Sequence, residues 1–503
     1  MKFLLSRRML LVISLLANAL FCFVTFRSGL IPLKYLIPLF IILFAIVFAL
    51  YRGEKDKDKE HTTKIIIYKL INIILSGIML FLSLMVIQGT DFISSVTGGK
   101  EQIIEMNVAV LKTSSYQELD DLKDKKFGGN NIDSVNVNKA ETMIEEDIGL
   151  IDVQIYKDYN ELIQALQNKD VEAAIIKDID MESLDDLQDG FTDQIKVIHT
   201  VEIKIPKIDA NSAKVTQEPF HILISGTDKE GPIDTFALSD VNMLATINPT
   251  TKQILLTSIP RDYYVDIVGM DNVSGKDKLT HSAKGGMQCT LSTVEELLGI
   301  KINYYAKFNF TSFINVVDAL GGVEVNVPQY RVIGRDDGVF TTKKGNHGQG
   351  YQIKPGQTKM DADMALAFVR ERKSFVLGDD IRGKNQMLVL KAIIKKCCSP
   401  AIITKMDSLF QSLENSFETN MSAKEVQSLI NMEISDMAPW DVQSYRLDGD
   451  STKKVFSFAT IGDIRSKYPN GLYVTTPYEE SLQEAKGYIE KIMNNEIVKV
   501  NEN

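Results

Sequence analysis

Three long apolar stretches near the N-terminus constrain this chain more than any other feature. They cover residues 9–26, 30–50 and about 65–87. Each is close to the length that a helix needs to cross the hydrocarbon core of a bilayer, which is roughly 30 Å thick. No comparable stretch follows residue 88. The sequence therefore predicts three transmembrane helices within residues 1–90, followed by a large polar region.

The distribution of Lys and Arg predicts how these helices are oriented. Eight basic residues lie before the first helix or in the loop 51–64, and only two lie at the connection between the first two helices. Basic flanks favour the cytoplasmic side. We therefore expect a multi-pass protein of the cell membrane, with its N-terminus in the cytoplasm and its large C-terminal part outside. A cleaved signal peptide is the alternative for the first stretch, but no small-residue cleavage site follows it.

Charge and motif content exclude several classes of protein. Residues 1–64 carry a net charge of +6 within a chain of −10, so the remaining residues carry −16. An acidic exported region argues against nucleic-acid binding. Three cysteines, Cys289, Cys397 and Cys398, lie outside the membrane stretches. Three cysteines cannot all pair with one another, so a disulfide-stabilised fold is not expected. Walker A, HExxH and GxSxG sequences are absent, so nucleotide hydrolysis, zinc proteolysis and serine esterase chemistry lack support.

The exported part divides into two α/β regions. The first covers 100–205, where apolar patterning predicts strands at 103–112, 151–156 and 171–177 and helices near 138–150 and 158–168. A polar linker is predicted at 206–218. The second region, 219–503, begins with a buried strand and is expected to end in a helical extension.

Two aspartates and one arginine are predicted to meet in the second region. Asp228 follows the apolar run 220–225, and ligands of open α/β sheets bind beyond the carboxyl ends of such strands. The turn sequence NPTTK separates two β-branched runs, which indicates a hairpin. Asp240 and Arg261 are nearly equidistant from this turn and should face each other at its open end. A solvated surface ion pair is the alternative interpretation of this pairing.

A second group of cations begins at Arg370, 109 residues after Arg261. In the sequence VRERKSFVLGDDIRGKNQ, extended backbone would place Arg370 and Arg372 on one face. A helix predicted to follow Gly383 would bring Arg382 and Gln386 together across its first turn. Arginine favours bidentate contact with phosphate oxygens, so a phosphate or pyrophosphate is the expected ligand. Mg²⁺ would then bridge this anion to Asp228 and Asp240, because it prefers one or two carboxylates together with phosphate oxygens.

The segment 311–320 also raises a choice between core and binding groove. Its apolar residues recur at helical spacing: Phe313, Ile314, Val316, Val317 and Leu320. Such a face is more often ordinary core than a groove for a lipid tail. We therefore expect it to be buried within the domain.

These motifs resemble the LytR-CpsA-Psr (LCP) family of Gram-positive cell-envelope proteins, and most of all its capsule-locus CpsA-type members. The resemblance rests on SGTD, SDVNMLATINPTTKQILLTSIPRD, KLTH, ALAFVRERKS and IRGKNQ, and it covers roughly 219–398. It implies an α/β domain with a mixed central sheet flanked by helices. It also implies Mg²⁺-dependent transfer of a capsular or other cell-wall polysaccharide from a polyprenyl pyrophosphate carrier to peptidoglycan.

The resemblance assigns a role to each candidate residue. Asp228 and Asp240 would hold Mg²⁺, and Asp379 would orient or deprotonate the acceptor. The implied ligands of the pyrophosphate are Arg261, Arg370, Arg372, Arg382 and Gln386. The implied partners are the lipid-linked polysaccharide, peptidoglycan, the cell membrane and capsule assembly proteins, without nucleic acid.

One position departs from the family pattern, and two other functions stay open. Leu238 stands where the family usually has arginine, and hairpin alternation predicts that it shares a face with Asp240. An arginine there is expected to strengthen lipid binding. The first alternative function is a regulatory or scaffold membrane protein of the capsule biosynthesis locus. The second is a polyprenyl pyrophosphate phosphatase or lipid-binding protein without a sugar acceptor.

Overall fold

Three long helices form the N-terminal part of the structure, a computed structural model that describes residues 6–53, 62–227, 233, 236–342, 350–375, 378–397, 417–436 and 438–500. They are α1 (Arg7–Ser28), α2 (Leu33–Gly53) and α3 (Thr62–Val96). All three are long and apolar enough to cross a membrane. Ser14 of α1 hydrogen-bonds to Asn72 and Ser76 of α3, so polar groups inside the bundle satisfy one another. The prediction of three spanning helices is confirmed.

The connection between α1 and α2 and the first turn of α2 contact the C-terminal region of the chain. Lys34 Nζ donates to the carbonyl of Ser435 at 2.9 Å, and the Tyr35 hydroxyl donates to the same carbonyl at 3.2 Å. The Asn431 amide donates to the carbonyl of Gly29. This connection and the C-terminal region therefore lie on the same side of the helical bundle.

The first α/β region, called the accessory domain below, is a five-stranded mixed sheet in the order β3-β2-β4-β1-β5. Its strands are β1 (Gln102–Leu111), β2 (Lys126–Asn130), β3 (Asp152–Tyr156), β4 (Ala173–Lys177) and β5 (Ile195–Ile205). Its helices are α4 (Ser134–Ile148), α5 (Tyr159–Asn168) and α6 (Met181–Leu187).

The sequence did not predict β2, because two glycines occupy the middle of this short strand. Helices pack closely over both of them. A Cβ on Gly128 would lie 2.6 Å from the Leu162 side chain of α5, and one on Gly129 would lie 2.5 Å from Val137 of α4. Glycine is required there by the tertiary packing rather than by a turn.

The second region, called the catalytic domain below, contains a six-stranded mixed sheet in the order β16-β11-β6-β7-β8-β17. Its strands are β6 (Phe220–Thr227), β7 (Val241–Asn248), β8 (Gln253–Ile259), β11 (Tyr304–Asn309), β16 (Phe417–Thr419) and β17 (Asp441–Arg446). The predicted hairpin is β7–β8. The carboxyl ends of β6, β8, β11 and β17 and the start of β7 lie along one edge, called the site edge below.

Helices cover both faces of this sheet, which confirms the predicted α/β class. They are α7 (Gly286–Leu298), α8 (Phe310–Ala319), α9 (Ala362–Arg370), α10 (Gly378–Cys397), α11 (Ala423–Asp436) and α12 (Glu479–Met493). The helices α7 and α12 pack on one face, whereas Met387 of α10 packs on the other. Val317 and Leu320 of α8 are buried in the core, in agreement with the core interpretation of that helix. The Ile314 side chain lies outside the described residues.

Shorter strands complete the catalytic domain. They are β9 (Tyr264–Asp266), β10 (Lys276–Lys278), β12 (Val323–Val327), β13 (Phe340–Thr341), β14 (Gln352–Ile353), β15 (Gly356–Met360), β18 (Gly449–Asp450), β19 (Lys454–Val455), β20 (Ser457–Phe458), β21 (Gly462–Asp463), β22 (Leu472–Tyr473) and β23 (Thr476–Pro477). The sequence predicted a helical extension at the C-terminus, but this region also contains strands. Its polar β17 escaped prediction because it pairs with β8 at the margin of the sheet, where little apolar surface is buried.

The segment between the two regions lies against the catalytic domain. Val215 is buried with Phe220 and Tyr304, and the Ala213 N–H donates to the Tyr304 hydroxyl at 2.8 Å. The segment has no strand or helix, but its contacts hold it in place.

Candidate functional site

An aspartate and an arginine meet at the open end of the β7–β8 hairpin. Asp240 precedes β7, and its N–H donates to the carbonyl of Gly226 at 2.8 Å. Arg261 follows β8, and its guanidinium donates to the Asp240 carboxylate. The Asp240 side chain is 13% exposed and the Arg261 side chain 27% exposed. The pair is thus partly buried at the site edge, unlike a solvated surface ion pair.

A buried polar network holds the chain that leads into Asp240. The hydroxyls of Ser225 and Ser239 are 2.7 Å apart, and Ser239 also donates to the Asn242 side-chain oxygen at 2.8 Å. The Asn242 amide donates back to the Ser239 carbonyl at 3.0 Å. These residues belong to the SGTD and SDVN sequences, so both motifs act by positioning Asp240.

Further charges surround Arg261. Lys278 Nζ lies 2.9 Å from a carboxylate oxygen of Asp262, and Arg261 Nε lies 3.9 Å from the same oxygen. Burial alone would raise the pKa of Asp262, but Lys278, Arg261 and Arg382 lower it below its ordinary value. Arg382 is therefore close enough to act on Asp262, and α10 contributes its predicted cation to the group around Arg261.

The KLTH sequence, residues 278–281, is hydrogen-bonded to the backbone of Arg261. The Thr280 N–H donates to the carbonyl of Arg261 at 2.9 Å. His281 is buried and its Nδ1 lies 2.6 Å from Asp277, whose other oxygen accepts hydrogen bonds from Thr460. Burial alone would raise the pKa of Asp277, but His281 and Thr460 lower it. The lysine of this motif contributes charge to the site, whereas its histidine holds the loop.

The structure places Arg370 and Arg372 at the end of α9. The helix ends at Arg370, and Glu371 continues in extended conformation. Glu371 is buried, whereas Arg370 is partly buried and Arg372 is exposed. The placement of both arginines on one face stays a prediction, because Arg370 belongs to the helix rather than to the extended backbone that was expected.

Helix α10 begins six residues earlier than predicted. It starts at Gly378 rather than after Gly383, so Arg382 and Gln386 share one face of an established helix instead of its first turn. Asn385, which adjoins this face, donates to the Phe368 carbonyl of α9 at 3.1 Å and accepts from the Tyr330 hydroxyl. Asn385 therefore fixes α10 against the end of α9.

Sequence reasoning missed Arg446. This residue ends β17, beside Ser258 of β8, and so reaches the same edge as Arg261. A Cβ on Gly383 of α10 would lie 3.3 Å from Arg446 Nε, so the arginine lies directly against this helix. Only the register of a strand distant in sequence brings Arg446 to the site, and no local motif signals it.

Two other candidates lie outside what the structure describes: Asp228 and the side chain of Asp379. The strand that precedes Asp228 ends at Thr227, at the site edge. Within the described residues no three His, Cys, Asp or Glu side chains cluster as a metal site. Asp240 is thus the described candidate for Mg²⁺, and a single protein carboxylate suits an ion that takes its other oxygens from phosphate and water.

The cysteines supply no chemistry in the described part of the chain. Cys289 is a buried free thiol, and burial raises its pKa to about 11. It is therefore neutral at physiological pH. Cys398 and the side chain of Cys397 lie outside the described residues.

The expectation for Leu238 is wrong. Leu238 precedes β7, which begins at Val241, so strand alternation does not extend back to it. Its side chain packs against the hydrophobic core of the accessory domain. The residue at this position therefore faces the neighbouring domain rather than the anion.

Comparisons with known proteins agree with these motifs. A sequence profile of the LytR_cpsA_psr family matches residues 169–486. The chain is 32% identical over 299 residues to the polyisoprenyl-teichoic acid–peptidoglycan teichoic acid transferase TagU of Bacillus licheniformis, which covers 59% of this chain and 85% of that protein. It is 34% identical over 274 residues to the transferase TagT of Bacillus subtilis, covering 54% and 76%. The crystal structure of B. subtilis TagV aligns at 26% identity with a TM-score of 0.43, over 56% of this chain and 99% of that one. Because the profile matches more than half of its length, this chain belongs to the LytR-CpsA-Psr family.

Proposed function

We propose that this protein transfers a glycopolymer from a polyprenyl pyrophosphate carrier to peptidoglycan. The observation that carries the proposal is the Asp240–Arg261 pair at the site edge, where Lys278, Arg382 and Arg446 add positive charge. A pyrophosphate is the anion that such a concentration of cations suits. Family membership supports the same activity, since the related TagU and TagT are named as transferases of this kind.

The reaction exchanges the phosphoanhydride bond of the donor for a phosphate ester bond to peptidoglycan. A hydroxyl oxygen of peptidoglycan attacks the phosphorus that bears the glycopolymer, and a new P–O bond forms. The bond from that phosphorus to the bridging oxygen breaks, so polyprenyl monophosphate leaves with the electron pair. Transfer of this kind depends mainly on positioning and on neutralising phosphate charge. Arg261 is placed to donate to phosphate oxygens, and Asp379 is the proposed acceptor of the hydroxyl proton.

Mg²⁺ dependence is part of the proposal. Asp240, together with Asp228, would hold the ion, and the ion would supply further neutralisation of phosphate charge. The Asp240 carboxylate lies beside the cations that would bind the same phosphates, which supports this assignment. Removing divalent cations with a chelator should abolish transfer, and adding Mg²⁺ back should restore it. Full transfer in the presence of chelator would contradict the magnesium proposal alone.

We also propose that the catalytic domain lies outside the cell and that the polymer is a capsular or other cell-wall polysaccharide. The Lys and Arg asymmetry of the flanks supports the orientation. The names of TagU and TagT specify teichoic acid for those proteins. Capsule assembly proteins stay a predicted class of partner. Donors that carry a neutral polysaccharide or a teichoic acid would discriminate between these polymers.

The test is a transfer assay with the full-length protein in detergent or lipid nanodiscs. A lipid-linked glycan and peptidoglycan fragments should give a covalent product that mass spectrometry detects. Arg261→Gln should reduce kcat/KM by about 10- to 150-fold, because one charge-assisted contact contributes about 1.5–3 kcal/mol. Arg335→Gln is the matched control, since Arg335 pairs with Asp337 on the exposed surface.

The product distinguishes the remaining functions. Free phosphate without a covalent product would indicate a phosphatase. Neither product, despite correct folding and lipid binding, would indicate a scaffold or lipid-binding protein. Equal activity of the Arg261 variant and the wild type would remove the site assignment.

A further inference from the structure

The loop that follows Arg261 extends into the accessory domain. Its 3-10 helical segment, Leu279–Gly285, begins with the hydrogen bond from Thr280 to the Arg261 carbonyl. Near its other end Lys284 is fully buried, and its Nζ lies 2.8 Å from a carboxylate oxygen of Asp180. Lys284 also donates to the Ser183 hydroxyl at 2.9 Å. Asp180 and Ser183 belong to the accessory domain, so this segment connects the candidate site directly to it.

A second buried ion pair completes this contact. Lys177 of β4 lies 2.8 Å from Asp133 and also donates to the Lys284 carbonyl at 3.2 Å. The Tyr159 hydroxyl donates to Asp180 at 2.7 Å. Burying charges is unfavourable unless each is paired with good geometry. The Lys284–Asp180 pair and the hydrogen bond from Lys177 to the Lys284 carbonyl both join the two domains. Because such buried polar contacts tolerate little displacement, they hold the domains in one relative position, whereas an apolar contact could slide.

The chain that leads into Asp240 is attached to the same domain. Phe236 is 7% exposed and belongs to the hydrophobic core of the accessory domain, and Leu238 packs against that core. Asp240 follows two residues later. The Phe236 ring also lies over Gly286, where a Cβ would be 2.6 Å from it. The two attachments therefore meet at the end of the Leu279–Gly285 segment.

We propose that the accessory domain sets the relative position of Asp240 and Arg261, with Phe236 and Lys284 as positioning residues. The proposal rests on the proposed function, in which this pair binds the pyrophosphate. Asp240 directly precedes β7 and Arg261 follows β8 by two residues, so both lie where the chain leaves the sheet, and contacts beyond the sheet help to orient them. A displacement of about 1 Å in a site of this kind can reduce the rate by about a hundredfold. A rigid neighbouring domain that contacts both segments prevents such a displacement.

The experiment compares variants of Phe236 and Lys284 in the full-length protein. Phe236→Ala should reduce kcat by about 10- to 100-fold with a smaller change in KM, whereas Phe236→Leu should keep most of the activity. Lys284→Met should resemble Phe236→Ala. Hydrogen exchange of the Asp240 and Thr280 amides should become faster in the two impaired variants, since their acceptors are Gly226 and Arg261.

Lys467→Met is the matched control. Lys467 lies 2.7 Å from Asp189 and joins the same two domains without involving either segment. It should leave kcat and both exchange rates near those of the wild type. An equal loss of activity in this control would mean that any weakening of the domain contact reduces activity, which would overturn the specific role of Phe236 and Lys284.

Two further outcomes decide the proposal. Unchanged kcat and unchanged amide exchange in Phe236→Ala would refute it, and so would faster exchange with full activity. If Lys284→Met does not fold, the comparison of Phe236→Ala with Phe236→Leu decides alone. If the wild type shows no transfer, affinity for a short-chain polyprenyl pyrophosphate replaces kcat as the readout. A failure of the proposed function is thus distinguishable from a failure of the positioning role.

Discussion

Replacing Gly383 by alanine should stabilise the protein while impairing its activity. Gly383 lies inside α10, where alanine is more favourable than glycine by about 0.8–1.0 kcal/mol. The added Cβ would lie 3.3 Å from Arg446 Nε, which is closer than an ordinary van der Waals contact. The Arg446 guanidinium must therefore shift by a few tenths of an ångström. We expect the gain in helix propensity to exceed the cost of this shift, because the arginine side chain can adjust.

The loss of activity follows from the same displacement. A charge-assisted contact to phosphate contributes about 1.5–3 kcal/mol, and a displaced guanidinium should lose roughly half of it. This corresponds to a decrease in kcat/KM of about three- to tenfold. Transfer kinetics measure the decrease, and denaturant unfolding measures the change in the free energy of unfolding.

Gly487→Ala provides the matched control. Gly487 lies inside α12, and no atom lies within 4 Å of the position that its Cβ would occupy. This variant should gain similar stability without loss of activity. If Gly383→Ala keeps full activity, Arg446 does not contact the reacting phosphates. If Gly383→Ala unfolds more easily than the wild type, the Arg446 side chain adjusts less readily than we infer.

Three further predictions concern charge, packing and topology. Asp262 has a lowered pKa in the folded state, so its contribution to stability is present above the unfolded pKa of about 3.9 and is lost as the pH falls through the folded value. Asp262→Asn should therefore weaken the pH dependence of the unfolding free energy below about pH 4, and an unchanged profile would contradict the pairing with Lys278. Leu238→Arg should reduce the free energy of unfolding by roughly 1–3 kcal/mol, because the guanidinium would enter apolar packing. It should not strengthen the binding of a polyprenyl pyrophosphate, and tighter binding in a titration would show that residue 238 reaches the anion. A phosphatase reporter fused after residue 100 should be active outside the cell and one fused at residue 57 inactive, and the reverse pattern would exclude a cell-wall function.

The sequence alone determined the parts of this protein that depend on local patterning. The three membrane helices were predictable because a bilayer requires long apolar stretches, a constraint that composition reveals directly. The pairing of Asp240 with Arg261 was predictable because a hairpin brings together residues equidistant from its turn. The helix that carries Arg382 was predictable from its apolar pattern, although its start at Gly378 was not.

Only the tertiary structure decided which distant segments reach the site. Arg446 arrives there because β17 pairs with β8 across about 190 residues of sequence, and its polar pattern indicates no partner. Leu238 turns toward the accessory domain because that domain offers an apolar surface just before β7 begins. Nothing in the local sequence distinguishes Lys284 from a surface lysine, yet it is fully buried against Asp180 of the accessory domain. Long-range contacts of this kind leave no local periodicity, because the groups that satisfy each residue lie elsewhere in the chain.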